Sequence, residues 1–131
     1  MIEINETFPL YVSNDLSVLK NYYSEHFGFT AVFFDSEFYL HLLHPGSGHQ
    51  IGFLVPGHDS QPVFLHGATN NIGVALSFDV SDAQAAFTQA VAEGLDIIMT
   101  YTEESWGQNH FMLRDPGGLI IDVVEHIEPV E

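Results

Sequence analysis

Residues 9–28 read PLYVSNDLSVLKNYYSEHFG, and residues 73–94 read GVALSFDVSDAQAAFTQAVAEG. Each stretch begins with a short strand-like run and continues as an amphipathic segment with its apolar residues on one helical face. These patterns predict helices over residues 15–27 and 82–93. The chain therefore contains the same strand-and-helix unit twice.

The ends of both predicted helices carry residues that favour helix boundaries. A short side chain with an oxygen acceptor precedes the first turn, and a glycine follows the last one. In order along the chain, these caps and stops are Asn14 or Asp15, Gly28, Ser81 or Asp82, and Gly94. Asp82 follows Asp15 by 67 residues and Gly94 follows Gly28 by 66, which indicates an internal repeat of one supersecondary unit.

Runs of β-branched and aromatic residues predict four strands in each half. In the first half they cover residues 9–13, 30–34, 38–43 and 50–55. In the second half they cover residues 73–79, 96–101, 109–114 and 119–125. Pro45-Gly46 and Pro116-Gly117 mark corresponding turns before the last strands. The fold is therefore predicted to be α+β, with two tandem βαβββ modules forming curved mixed sheets around a concave cleft.

The length of 131 residues, with 46% hydrophobic residues and 11 Phe, is enough for one core and predicts a single domain over residues 1–131. Module 1 is placed at about residues 6–55 and module 2 at about residues 72–127. The loop between them, over residues 56–71, is long for a connection. Its sequence fits a functional lid or arm as well as an ordinary flexible linker.

Composition excludes several classes of function. The chain has no Cys, so disulfides, thiolate zinc sites and thiol catalysis are ruled out. Its net charge of -16, with two basic residues against 18 acidic ones, would repel nucleic acid and anionic membranes. No signal peptide or membrane span is recognisable, and we expect a soluble, cytoplasmic protein. Scattered carboxylates most often serve solubility, but they also favour a neutral or cationic ligand.

Three local features, together with the repeat, resemble the vicinal oxygen chelate superfamily over nearly the whole chain. This superfamily comprises glyoxalase I, bleomycin-resistance proteins and extradiol dioxygenases. The features are Asn14-Asp15-Leu16 leading to Tyr22-Tyr23 and Phe27-Gly28-Phe29, then Trp106-Gly107, and then Asp115-Pro116-Gly117-Gly118. The last of these is also ordinary hairpin-turn chemistry, and the tyrosine pair also suits core packing.

In the metalloenzymes of this superfamily, a His or Gln on the first strand and a Glu on the last strand of each half hold a divalent ion. The resemblance places these four positions at Phe8, Gly52, Gly73 and Asp122. Only Asp122 has an oxygen ligand, and one carboxylate does not hold a catalytic divalent ion. The resemblance therefore implies a protein without metal, cofactor or catalytic residues.

Two histidines leave an enzymatic alternative open. His41 and His110 lie on comparable predicted strands, although a strand histidine is more often a hydrogen-bonded structural residue. If they recruit a metal, or act with Asp122 as general acid and base, the chain would be a glyoxalase-like lyase, isomerase or dioxygenase.

The metal-free, bleomycin-resistance-like branch binds flat cationic drugs in an acidic, aromatic cleft, and the resemblance is closest to it. Residues implied to bind ligand are Phe33, Phe38, Trp106, Gly107, His110 and Asp122. Core packing is the competing role for the two phenylalanines. We expect a homodimer that binds or sequesters a small planar, preferably cationic molecule, as in antibiotic resistance, with no nucleic-acid or membrane partner. A non-catalytic interaction module is the third alternative.

Overall fold

The computed structural model describes residues 1–128. The chain divides into two compact units, residues 1–70 and residues 71–131. No helix within the described residues has the length and apolar character needed to cross a membrane.

The first unit contains one helix and a four-stranded mixed sheet. Its elements are β1 (Leu10–Val12), α1 (Leu16–Phe27), β2 (Thr30–Asp35), β3 (Tyr39–Leu43) and β4 (Gln50–Leu54). The strand order is β1-β4-β3-β2, in which β1 pairs with β4 in parallel and the other pairs are antiparallel. A single 3₁₀ turn, Val63–Leu65, interrupts the loop that follows.

Helix α1 packs its apolar side against one face of this sheet. Leu16, Leu19 and Tyr23 are buried on the helix, and the Tyr23 ring lies 5.5 Å from that of Phe53 on β4. Gly28, at φ 73°, ends the helix in the left-handed conformation that glycine adopts at little cost. The apolar residues whose spacing predicted the helix therefore also form part of the core of the unit.

The second unit repeats this arrangement. Its elements are β5 (Leu76–Asp79), α2 (Ala83–Ala92), β6 (Asp96–Glu104), β7 (Gln108–Arg114) and β8 (Ile120–His126). The strand order is β5-β8-β7-β6, with β5 and β8 parallel. Asp82 caps α2 by accepting a hydrogen bond from the amide of Ala85, and Phe87 on α2 packs edge-on against Phe111 on β7 at 5.3 Å.

The α+β class and the two βαβββ modules predicted from the sequence are confirmed, and most element boundaries differ by a few residues. Phe38 precedes β3 and lies in the β2–β3 turn, where its amide donates to the carbonyl of Asp35. Strand β6 extends beyond its predicted end to Glu104, and β5 begins at Leu76 rather than at residue 73. Asp15 adopts φ 61° and caps α1 without a side-chain hydrogen bond.

Each sheet has one face against its helix and one face that the helix does not cover, which we call the helix-distal face. Side chains alternate along a strand, so neighbours of the buried Phe53 and Phe111 project to this face. In the first unit the cross-strand pair His41 and Gly52 lies on it. In the second unit the pair Met112 and Asp122 does so.

Candidate functional site

The second unit holds a cluster of three titratable side chains on its helix-distal face. His110 on β7 is 5% exposed. Its Nδ1 lies 2.8 Å from Oδ1 of Asp122 on β8, and its Nε2 lies 3.2 Å from Oε2 of Glu104 at the end of β6. Three neighbouring strands thus each contribute one group to a single hydrogen-bonded cluster.

The two partners determine the protonation state of His110. Ionised carboxylates only accept hydrogen bonds, so engaging both ring nitrogens requires both to be donors, as in the imidazolium. Burial opposes the charged form, but the hydrogen bonds to Asp122 and Glu104 outweigh it and raise the pKa of His110. Below this raised pKa, the imidazolium of His110 lies between the two carboxyl groups and donates to both.

Trp106 lies in the β6–β7 turn, two residues after Glu104. It is 67% exposed, and its indole Nε1–H donates to Oε1 of Gln108 at 3.1 Å. Gly107 adopts φ 95°, and a Cβ there would meet the carbonyl oxygen of Ile127 at 3.0 Å. The glycine of the Trp-Gly pair is thus required by the turn, while the tryptophan ring is available to a ligand.

In the first unit, Phe33 and Phe38 contact each other edge-on with ring centroids 6.3 Å apart. Phe33 is 49% exposed, so it is a surface residue and not part of the core. Phe38 is partly exposed, and its ring centroid lies 4.4 Å from that of His58, from the loop after β4, with the two planes tilted by 36°. The placement of Phe38 on a strand was wrong, because the residue lies in the turn before β3.

A hydrogen-bond chain that the sequence did not reveal crosses the helix-distal face of the first unit. The Tyr39 hydroxyl lies 2.6 Å from Nδ1 of His41, and Nε2 of His41 lies 2.6 Å from Oε1 of Gln50. The amide Nε2 of Gln50 donates to Oε2 of Glu6 at 2.7 Å. Alternation along β3 places Tyr39 and His41 on one face and was the signal that could have found the pair.

The two histidines do not occupy equivalent positions. His41 pairs with Gly52 across the first sheet, whereas Met112 pairs with Asp122 across the second. His110 lies two residues before Met112 on its strand, so its counterpart in the first unit is Tyr39. The two histidines therefore lie on comparable strands, as predicted, but at different positions along them.

The residues at the inherited metal positions do not fit a metal ion. A side chain at Gly52 would collide with the Tyr39 hydroxyl, and Phe8 packs edge-on against the His41 ring at 4.7 Å. Asp122 already accepts a hydrogen bond from His110.

The position corresponding to Phe8 also needs correction. β1 pairs Leu10 with Gly52, and β5 pairs Ser77 with Asp122. Phe8 lies two residues before Leu10, so its counterpart lies two residues before Ser77. That residue is Ala75, not Gly73. Neither residue can bind a metal ion. Within residues 1–128, no group of three or more His, Asp or Glu side chains has an arrangement suited to a metal ion.

The predicted site residues thus form one group in each unit. His110 and Asp122 contact each other, and Trp106 with Gly107 lies in the turn that follows Glu104. Glu104 was missed because β6 was predicted to end at residue 101, which left it in a loop.

Comparison with known proteins agrees with this fold. A model of the Glyoxalase/Bleomycin resistance protein/Dioxygenase superfamily matches residues 4–123. A search of curated proteins found no match.

Three solved structures illustrate the likeness. A virulence protein of Salmonella typhimurium is 21% identical, with a TM-score of 0.72, over 97% of this chain and 100% of that chain. A superfamily member from Sphaerobacter thermophilus is 20% identical, with a TM-score of 0.74, over 94% of this chain and 98% of that chain. A glyoxalase/bleomycin resistance protein/dioxygenase from Nocardioides is 14% identical, with a TM-score of 0.77, over 100% of this chain and 89% of that chain.

Identities this low show a common fold and leave the ligand open. The family model, in contrast, matches most of the chain, including the Trp106-Gly107 turn and Asp122. The chain therefore belongs to the glyoxalase/bleomycin resistance protein/dioxygenase superfamily.

Proposed function

We propose that this protein binds a planar, cationic small molecule and performs no chemistry on it. The observation that carries the proposal is the exposure of Trp106, at 67%, on a hairpin that also bears Glu103 and Glu104. A cation over the face of an indole is attracted by the negative potential of the ring, and nearby carboxylates add to this attraction.

The charge of the neighbouring cluster supports a cationic ligand. The cluster contains two carboxyl groups, Glu104 and Asp122, and a single basic group, His110. The whole chain carries a formal charge of -16, so its field attracts cations over a distance comparable to the Debye length. A flat cation would therefore gain from both the ring and the field.

The proposal includes a homodimer, as in the metal-free relatives that the sequence resembles, and a role in sequestering the bound compound, for example an antibiotic, in the cytoplasm. Sedimentation velocity at several protein concentrations tests the dimer. A single species with the mass of one chain at all concentrations would refute that part of the proposal without affecting the binding site.

Binding can be tested with proflavine, a planar acridinium cation, in titrations followed by quenching of the single tryptophan and by dye anisotropy. Trp106→Ala should weaken binding by about 1 to 3 kcal/mol, or roughly five- to 150-fold, as expected for an aromatic anchor. The matched control is Phe64→Ala, because Phe64 is also an exposed aromatic residue, at 84% exposure. The control should leave the affinity unchanged.

Saturable binding should also weaken with added salt, since exposed charges are screened. If proflavine fails to bind the wild type, or binds the Trp106 variant equally well, Trp106 is not the anchor of a cation site. If the Trp106 variant fails to fold, the residue is structural. Each of these results rejects the proposal.

An enzymatic role is the second candidate, favoured by the position of His110. A buried imidazole with a raised pKa beside Asp122 is a general-acid candidate. Elemental analysis of the purified protein decides the metal-dependent version of this role. A stoichiometric divalent metal that is lost in Asp122→Asn would favour a glyoxalase-like lyase, isomerase or dioxygenase over a binding protein.

A further inference from the structure

In the hydrogen-bond chain of the first unit, the donor and the acceptor at each contact can be deduced from the end at Glu6. The carboxylate of Glu6 only accepts, so the group of Gln50 that meets it is the amide N–H. The carbonyl oxygen of Gln50 is then the group facing His41. It must receive Nε2–H, and in the tautomer that carries its proton there, Nδ1 of His41 is a lone-pair acceptor.

The last member of this chain is Tyr39, whose hydroxyl must donate its only proton to Nδ1 of His41. Burial raises the pKa of the Tyr39 phenol, so the phenol keeps this proton at neutral pH. Because the phenol donates this proton to His41, only the lone pairs of its oxygen remain to accept a hydrogen bond from a ligand.

We infer that the Tyr39 oxygen is a hydrogen-bond acceptor anchor that selects ligands carrying an N–H or O–H donor, with His41 as the residue that orients it. This inference rests on the proposed small-molecule binding and names the chemistry that the first unit recognises. The ligands concerned are amino- or hydroxy-substituted planar cations.

The surroundings of Tyr39 suit an aromatic ligand. Phe8 is 45% exposed and Phe33 is 49% exposed, and the Phe33 ring lies 6.2 Å from that of Tyr39 on the same sheet. The missing side chain of Gly52 gives the phenol oxygen its place, since a Cβ there would collide with it. Apolar rings thus flank a single oriented acceptor.

The chain orients Tyr39 but does not conduct protons. A primary amide such as Gln50 does not readily give up or take a proton at neutral pH, so no proton can pass from Tyr39 to Glu6. The arrangement therefore serves recognition rather than acid–base catalysis, in agreement with a protein that binds without reaction.

Two acridinium dyes separate the contribution of an exocyclic N–H donor from that of the ring system, since both cations share the protonated ring nitrogen. Proflavine carries two exocyclic amino groups, whereas acridine orange carries dimethylamino groups without N–H at the same positions. Tyr39→Phe removes only the hydroxyl, and it should weaken proflavine binding about three- to tenfold while leaving acridine orange binding unchanged. His41→Phe should produce a smaller loss in the same direction, because the hydroxyl remains but is no longer oriented.

Dye anisotropy measures both affinities, with Trp106→Ala in parallel. An equal loss for both dyes in Tyr39→Phe, or no loss for either, overturns the inference about Tyr39 and leaves the proposed function standing if Trp106→Ala still weakens binding. Failure of both dyes to bind the wild type overturns the proposed function and this inference with it. The ¹⁵N shifts of the His41 ring provide an independent check, since protonation at Nδ1 in place of Nε2 contradicts the deduced direction.

Discussion

The pairing of His110 with two carboxylates predicts a stability that depends on pH around neutrality, and Asp122→Asn should remove much of this dependence. Because the folded pKa of His110 is raised above its unfolded value of about 6.5, the folded state binds the proton more tightly. The extra stability is fully present below about pH 6.5 and is lost as the pH rises through the folded pKa.

The size of the effect follows from the two contacts. A charge-assisted hydrogen bond contributes about 1.5 to 3 kcal/mol, and the 2.8 Å contact with Asp122 is of this strong kind, while the 3.2 Å contact with Glu104 is weaker. Asp122→Asn should therefore cost about 1 to 3 kcal/mol at pH 6. Above the folded pKa, where His110 is neutral and an amide oxygen can still accept from it, the cost should be small.

Urea unfolding followed by far-UV circular dichroism between pH 6 and pH 9 measures this difference. The control is His126→Gln, because His126 and Asp79 form an exposed pair at 3.6 Å that should contribute little at any pH. If Asp122→Asn lowers stability equally at pH 6 and pH 9, or more at pH 9, His110 is not held as an imidazolium and the reasoning is refuted.

Two further predictions concern the scaffold. Gly52→Ala should destabilise the protein by about 1 to 3 kcal/mol, because the added Cβ would overlap the Tyr39 hydroxyl. The control Gly67→Ala should change stability in urea little, because no atom lies within 4 Å of the added Cβ. Equal effects of the two substitutions would contradict this reasoning. Asp82→Ala should cost about 0.5 to 2 kcal/mol of thermal or urea stability through loss of the cap to the Ala85 amide, and an unchanged midpoint would show that the cap contributes nothing.

The sequence predicted the architecture because its boundary signals are local. A glycine such as Gly28 or Gly94 ends a helix through its own backbone freedom, and Asp115 organises its turn by accepting from Gly117 and Leu119 within four residues. Signals of this kind do not depend on the rest of the fold. They could therefore be interpreted without a structure.

The site was harder to predict because it depends on strand register. Register shifts between Ile97 and Met99 and between Met99 and Thr102 change how β6 faces β7, and no pattern in the sequence specifies them. These register shifts place the Glu104 side chain within hydrogen-bond distance of His110. A partner that comes from such irregular pairing is found only when the coordinates are known.

Within each unit the first strand pairs with the last, which has a consequence for the order of folding. Strands β2, β3 and β4 are joined by short turns, whereas Leu10 must find Gly52, 42 residues further along the chain. Contacts that close longer loops form later, so the hairpins should assemble first and β1 should dock last. Native-state hydrogen exchange should then show the amides of β1 opening at lower free energy than that of Leu40 on β3. The Tyr39–His41 pair would be in place before the neighbouring Phe8 ring closes beside it.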